Sequence, residues 1–171
     1  MTGSDTTRLI VLRGNSASGK STVAARLRAH HGRGLAVVGQ DVIRRDILKE
    51  PDVPGAANIG LIDAVARYAL DAGYHVVVEG ILYADRYGPM LTALGADHRG
   101  MSRYYYFDVP FAETLRRHAT KPAVGAYGEE EMRRWYRPRD LLDGGREEII
   151  GPGSPLEETV RRILADARLH R

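Results

Sequence analysis

The chain reads as an α/β protein built on a parallel sheet, and two observations predict it. Short apolar runs alternate along the 171 residues with longer stretches of helical periodicity, the pattern of βαβ units. At the first junction, between Arg8-Leu9-Ile10-Val11-Leu12-Arg13 and the helix-forming Thr22-Val23-Ala24-Ala25-Arg26-Leu27-Arg28, stands Gly14-Asn15-Ser16-Ala17-Ser18-Gly19-Lys20-Ser21. Its spacing is G-x-x-x-x-G-K-[ST], a pattern that belongs between a strand and a helix.

The residue types in this loop suit an anion. Gly14 and Gly19 permit backbone torsions that a Cβ disfavours, so successive N–H groups can turn inward. The following helix points its positive end at the same place. Lys20 adds a full charge near the β- and γ-phosphates of a nucleotide, and the Ser21 hydroxyl is a ligand for Mg²⁺. Asn15, Ser16, Ala17, Ser18 and Thr22 complete the nucleotide-binding candidates. The alternative is a strand–turn–helix whose Gly and Ser serve only the turn.

The length suits a single domain over residues 1–171 with a substantial core. Apolar (43%) and charged (27%) fractions are those of an ordinary globular protein. The absence of cysteine excludes disulfides and thiolate metal sites and suits a reducing cytoplasm. Met1-Thr2-Gly3-Ser4-Asp5 lacks the pattern of a secretory signal, and no apolar run approaches the ~20 residues that span a bilayer, so no membrane partner is expected. Of the basic residues only Lys20, Lys49 and Lys121 are lysines, and arginine favours planar, bidentate contact with phosphate.

The second strand is Leu35–Gly39, followed by a helix over 40–48 with Ile43, Ile47 and Leu48 facing the core. Asp41 stands at that junction. It is either a helix N-cap or a carboxylate at the ligand-binding edge of the sheet, placed to orient or deprotonate a hydroxyl. Arg44 and Arg45 are either solvated or meet an anionic group. After a loop over 51–55, a helix over 58–72 carries the stripe Ile59, Ile62, Val65, Ala66 and Ala69, and Gly73 ends it. The third strand, Tyr74–Ile81, is a buried run with an acid, Glu79, near its end. That acid either supports Mg²⁺ or substrate or faces solvent, and Tyr83 in the next turn either lines the same cleft or lies on the surface.

A helix over 85–96 turns Met90, Leu91 and Leu94 inward, and Tyr104–Val109 is the fourth strand. Its aromatic run fits packing on two sheet faces better than base stacking. A helix over 111–118, a loop over 123–127 and a helix over 129–136 follow. They gather Arg116, Arg117, Lys121, Arg133, Arg134, Arg137 and Arg139, with Arg116 and Arg134 read as solvated. The rest is either a basic face or a flap that brings guanidinium groups to a transferring phosphate, with Arg117, Arg133 and Arg137 as the candidates. Trp135 either docks this flap or joins the core. Glu147–Ile150 is the fifth strand, and a helix over 156–169 closes the chain, with Ser154 and Glu157 spaced as a capping box. The six histidines show no metal-ligand spacing and read mostly as surface residues.

Beyond the loop, Asp41-Val42-Ile43-Arg44 is similar to the D-x-x-R that follows the second strand in small P-loop kinases, the group of polynucleotide 5′-kinases, zeta-type toxins and chloramphenicol phosphotransferase. Val76-Val77-Val78-Glu79-Gly80 resembles the third strand of that group, and Arg117-His118-Ala119-Thr120-Lys121-Pro122 the start of its lid. The resemblance spans about residues 8 to 165. It implies a three-layer P-loop fold with sheet order 2-3-1-4-5 and a lid over about 117–140. It also implies phosphoryl transfer from ATP, with Asp41 as base for the acceptor hydroxyl and Arg44 on the substrate. Lys121 stands where many relatives carry a second arginine, and Trp135–Asp140 matches no substrate-defining motif.

The expectation is therefore a kinase that uses ATP and Mg²⁺ to phosphorylate a hydroxyl of a small molecule such as a nucleoside, sugar or antibiotic. Substrate contacts are expected from Asp41, Arg44, Glu79 and Tyr83. A polynucleotide 5′-end is the second acceptor class, and the net charge of +3 argues against a long nucleic-acid groove. A nucleotide-operated switch is the other class, but the chain has no N-K-x-D guanine-reading motif and the Asp41/Arg44 pair has no evident use there.

Overall fold

The strands β1 (Arg8–Gly14), β2 (Leu35–Gly39), β3 (His75–Gly80), β4 (Met101–Phe107) and β5 (Glu147–Ile150) pair in parallel in the order β2-β3-β1-β4-β5. The structure, a computed structural model, describes residues 1–121 and 125–170. The helices are α1 (Lys20–His31), α2 (Ala57–Asp71), α3 (Ala84–Asp97), α4 (Phe111–His118), α5 (Glu129–Trp135) and α6 (Leu156–Asp166), with a π-helical turn over Val42–Ile47.

Alternation along the strands builds three layers. Leu9, Val11, Val76 and Val78 face α2 and α3, where they pack with Ile62, Leu70, Leu91 and Leu94. Ile10, Leu12 and Val77 face α1 and α6 and pack with Leu27 and Ile163. The aromatic run divides the same way, Tyr104 to the first core and Tyr105 and Phe107 to the second. Each tyrosine of the run finds a polar partner for its hydroxyl: Tyr104 donates to Leu91 O, Tyr105 to Asp166 Oδ2 and Tyr106 to Arg137 O. These rings are structural, as β-propensity and burial require.

Three local expectations are corrected. Of the residues expected to face the core after β2, Ile43 is buried but Ile47 is 60% exposed and Leu48 37% exposed. The cause is the π-turn, in which Leu48 N donates to Ile43 O across five residues and the wider spiral carries both side chains outward. Ser154 is not a cap. Pro155 holds the N-cap position of α6, and the Ser154 hydroxyl bonds Thr159 Oγ1 instead. The histidines are not mostly on the surface either. His98 is buried between Thr7 Oγ1 and Ser102 Oγ, His118 is buried against Tyr127 O, and His31 and His75 are half-buried.

Arg13, the last residue before the phosphate-loop glycine, is wholly buried. Its Nε donates to Leu82 O at 2.9 Å, and Nη1 reaches both oxygens of Glu147 at 2.9 and 2.8 Å. Nη2 reaches Asp140 O at 2.8 Å and Asp140 Oδ2 at 3.3 Å. All five N–H groups of the guanidinium fork are thereby satisfied. Removing one partner leaves a buried charge uncompensated, which costs about 3–5 kcal/mol. Glu147→Ala is therefore expected to lower unfolding free energy by about 3 kcal/mol or more in urea titration. A loss under ~1 kcal/mol would show that water reaches the guanidinium.

Candidate active site

The parallel order brings three strand ends to one edge. The register sets Leu12 beside Glu79 and Gly39 beside Glu79, so the phosphate loop after β1, Asp41 after β2 and Glu79 at the end of β3 converge. Gly39 has no side chain for a reason of space. A Cβ there would lie 3.0 Å from Glu79 Oε1.

The loop has the strained, inward-turned shape that anion binding requires. Gly14 has φ 152° and Gly19 φ 104°. A Cβ on Gly14 would stand 2.9 Å from Phe107 O, so the loop also needs glycine to pass the end of β4. Ala17 adopts φ 62°, a left-handed conformation costly for a residue with a Cβ and usual only where the surroundings impose it. The Lys20 ammonium donates to Asn15 O at 2.8 Å and Ser18 Oγ at 3.3 Å. Burial lowers its pKa from 10.5 to about 8, while Glu79 and Asp41 pull it up and Lys121 and Arg13 push it down. Glu79 is raised above the usual carboxylate range by burial, with Lys20 opposing and Asp41 reinforcing.

Ser21 Oγ donates to Glu79 Oε2 at 3.2 Å. No cluster of three or more His, Cys, Asp or Glu among the described residues could hold a metal unaided. One hydroxyl beside one carboxylate suits Mg²⁺, a hard cation that takes few protein ligands and fills the remainder with phosphate oxygens and water. The residues present therefore fit such an ion.

Two cavities flank the loop. One, of about 490 Å³, is lined by Lys20, Ser21, Asp41, Arg44, Glu79 and Tyr83. The other, of about 420 Å³, runs past Gly19, Thr22 and Arg117 to the turn at Gly151–Pro155. Ala17 and Lys121 line both. The side chain of Asp41 is 73% exposed and makes no capping bond to the backbone; its nearest ionic partner is Arg45 at 3.6 Å.

The expected lid arginines separate. Arg117 lies on the second cavity, donating to Ser18 O at 3.1 Å and Pro152 O at 3.1 Å. Arg137 lies on the first, over the Tyr83 ring at 3.8 Å and paired with Asp85 Oδ1 at 2.8 Å. Arg133 lines neither: it pairs with Glu129 and sits over Phe111. Its neighbour Arg134, expected to be solvated, lines the first cavity instead, as do Trp135 and Tyr127. The Trp135 ring lies edge-on to Tyr127, and its carbonyl accepts from the Tyr83 hydroxyl at 2.6 Å. Part of the segment 117–140 expected as a lid, residues 122–124, lies outside the described residues, and with it Pro122 and the start of the loop expected over 123–127.

Sequence reasoning did not find Arg86 and Asp52, which line the first cavity and pair at 3.5 Å, nor the role of Asn15. The Asn15 amide exchanges two bonds with the backbone of Arg137, donating to its O at 2.8 Å and accepting from its N at 2.9 Å. The only signal for these was the presence of polar residues near the loop ends; their partners lie 34 and 122 residues away.

The family model for the AAA domain matches residues 9–139. By sequence, no curated protein matches the chain. Among solved structures it is similar to the APS kinase CysC of Mycobacterium tuberculosis in complex with AMPPNP and APS (TM-score 0.72, 18% identity, 96% of each chain). It is also similar to a gluconokinase from Sinorhizobium meliloti 1021 (0.62, 18%, 98% of this chain and 92% of that one) and a sugar kinase from Janibacter sp. HTCC2649 (0.63, 16%, 95% of each). At these identities the likeness to solved structures is one of fold, the three-layer P-loop fold with sheet order 2-3-1-4-5. The family match, which covers most of the length, carries the assignment: the chain belongs to the AAA-type small P-loop kinase domains.

Proposed function

We propose that the protein transfers the γ-phosphoryl group of ATP to a hydroxyl of a small molecule. The observation that carries this reading is that a single cavity is lined by the loop lysine, Lys20, and by two carboxylates, Asp41 and Glu79. A nucleotide switch needs the loop but has no use for an exposed carboxylate and an arginine-lined chamber beside it. The volume, about 490 Å³, suits a metabolite rather than a polynucleotide. The similar folds of an APS kinase, a gluconokinase and a sugar kinase support an acceptor of that size.

On this reading the amides of Gly14–Ser21 and the Lys20 ammonium hold the β- and γ-phosphates, while the nucleoside occupies the second cavity beside Arg117. Ser21, with Glu79 behind it, would hold Mg²⁺, which would supply charge compensation on the phosphate oxygens. The acceptor oxygen attacks the γ-phosphorus as the bond to the β–γ bridging oxygen breaks. Its proton passes to the Asp41 carboxylate, and ADP leaves. Little covalent help is needed, because placement and charge compensation carry most of such a reaction.

Asp41→Asn is expected to lower kcat by about 10²–10⁴ with nucleotide affinity unchanged, measured by transfer of labelled phosphate from ATP to a metabolite panel. Label that reached only free phosphate, equally in both proteins, would refute the reading.

The Lys20 titration gives a second test. Its folded pKa, about 8, lies below the unfolded 10.5, so the folded state carries a disfavoured charge below pH 8. This group's contribution to stability therefore rises with pH between those two values. A bound triphosphate favours the ammonium, so affinity is full below about pH 8 and declines above it. The Kd of a fluorescent ATP analogue is expected to weaken several-fold, up to about tenfold, between pH 8 and 9.5, with Lys20→Met weak and flat throughout. A flat wild-type profile over that range would contradict the assignment.

A further inference from the structure

The acceptor cavity is strongly cationic beyond what a triphosphate requires. Its described lining holds five arginines and two lysines against three acids. Lys20 and Lys121 flank the phosphate loop, whereas the arginines stand on the chamber's other walls. Two guanidinium groups gather at one ring: Arg137 lies 3.8 Å and Arg86 5.1 Å from the Tyr83 centroid. The ring is itself anchored by the Tyr83 hydroxyl on Trp135 O.

Arg86 is held in place yet incompletely satisfied. Its Nη1 donates to Asp52 O at 2.7 Å and stands 3.5 Å from Asp52 Oδ1, which also accepts from the Tyr87 hydroxyl at 3.0 Å. Its Nε is buried without a partner, and so is the Nε of Arg44, whose Nη1 donates to Glu50 O. Both Nε atoms are closed off by protein, so it is the other N–H groups of these forks that face the cavity, and an oxyanion that accepts from two of them at once is the group that matches them. The charged neighbours of Glu79 are Lys20, Asp41 and Lys121, and those of Tyr83 are Arg137, Asp52, Arg86 and Asp140. The chamber thus has a reacting end and a separate arginine end.

We infer that the arginine end is an oxyanion subsite, formed by Arg86, Arg137 and Arg44, and that the acceptor is an alcohol bearing a phosphate, sulfate or carboxylate. The subsite receives that charged group while the hydroxyl faces Asp41. The identity of the ligand as acceptor rests on the phosphotransferase reading; the subsite itself is testable without turnover. A neutral alcohol would displace water from these guanidinium groups and offer them no charge in return, so the same residues discriminate against it.

Trp135 is the single tryptophan and lines this cavity, so its emission reports on the subsite. With the loop saturated by Mg²⁺ and a non-hydrolysable ATP analogue, sodium sulfate is titrated against sodium chloride at matched ionic strength. A saturable sulfate-specific change is expected. It should weaken about tenfold or more in Arg86→Ala and Arg137→Ala, less in Arg86→Lys, and not at all in the distant Arg162→Ala. Thermal stabilisation by the ATP analogue checks that each variant is folded. No saturable change, or the same change in all variants, overturns the subsite.

Labelled ATP is then offered with paired acceptors, glucose against gluconate and a nucleoside against its 3′-monophosphate. The charged member of at least one pair is expected to be the better acceptor, with Arg86→Ala raising its KM about tenfold while kcat changes little. Preference for the neutral members overturns the acceptor class alone. Sulfate binding that depends on Arg86, with label reaching only free phosphate, upholds the subsite and overturns the kinase reading.

Discussion

The site hangs on the buried guanidinium of Arg13. It occupies the last side-chain position of the central strand before the loop begins, and its five N–H groups fasten three segments to one point. Leu82 O comes from the turn after β3, Asp140 from the return of the arginine-rich segment, and Glu147 from the edge strand β5. Lysine could not replace it, because an ammonium offers three donors from one point whereas these acceptors surround a plane. The Tyr106 ring lies 5.6 Å from the guanidinium carbon, and its hydroxyl accepts from Asp140 N. Asp140 Oδ2 in turn accepts from Ala84 N, at the start of the helix that carries Arg86. One cation therefore sets the position of the loop, the segment around Asp140 and the cavity wall that carries Arg86 together.

What could be read in the sequence was whatever the chain determines locally. The phosphate loop is eight consecutive residues, and its chemistry follows from their order. Asp41 and Glu79 were legible because a parallel sheet gathers strand ends at one edge, so position along the strand suffices. Arg13 was not, since an arginine closing an apolar strand looks like an exposed end until Glu147, 134 residues on, is known to meet it. Arg86 and Asp52 were hidden for the same reason. Arg133 and Arg134 were given each other's places, because which of two adjacent residues faces the cavity depends on the phase of a short helix set by the preceding turn. Ile47 and Leu48 misled because their periodicity was read at 3.6 residues per turn where the backbone runs as a π-turn.

The electrostatics around Lys20 and Glu79 follow from burial. Lys20 is withdrawn from water and leans on a carbonyl and a hydroxyl of its own loop, so its charge is costly to carry. Glu79 is withdrawn too, and its raised pKa reflects the same lack of solvent. The two offset one another, with the Ser21 hydroxyl beside the acid. On the proposed reading, phosphate oxygens and Mg²⁺ would complete this set, each supplying the sign that its neighbour lacks. Preorganised charge of this kind does its work without rearrangement, the condition under which electrostatic stabilisation is strongest.

The reciprocal amide bonds between Asn15 and the Arg137 backbone join the two ends of the chamber. Asn15 lies inside the phosphate loop, and Arg137 presents its guanidinium at the Tyr83 ring. A shift of the Arg137 main chain must therefore move the loop's amides or break two partly buried hydrogen bonds. The side chain of Arg137 is free of that constraint: it rests on the Tyr83 ring and its ionic partner is Asp85, which is 63% exposed. An anion arriving at the arginine end can thus draw the guanidinium from a solvated carboxylate without disturbing the cradle behind it. On the proposed reading, rigid backbone with an exchangeable side chain would let one arginine respond to the acceptor while the atoms that would hold the triphosphate stay fixed.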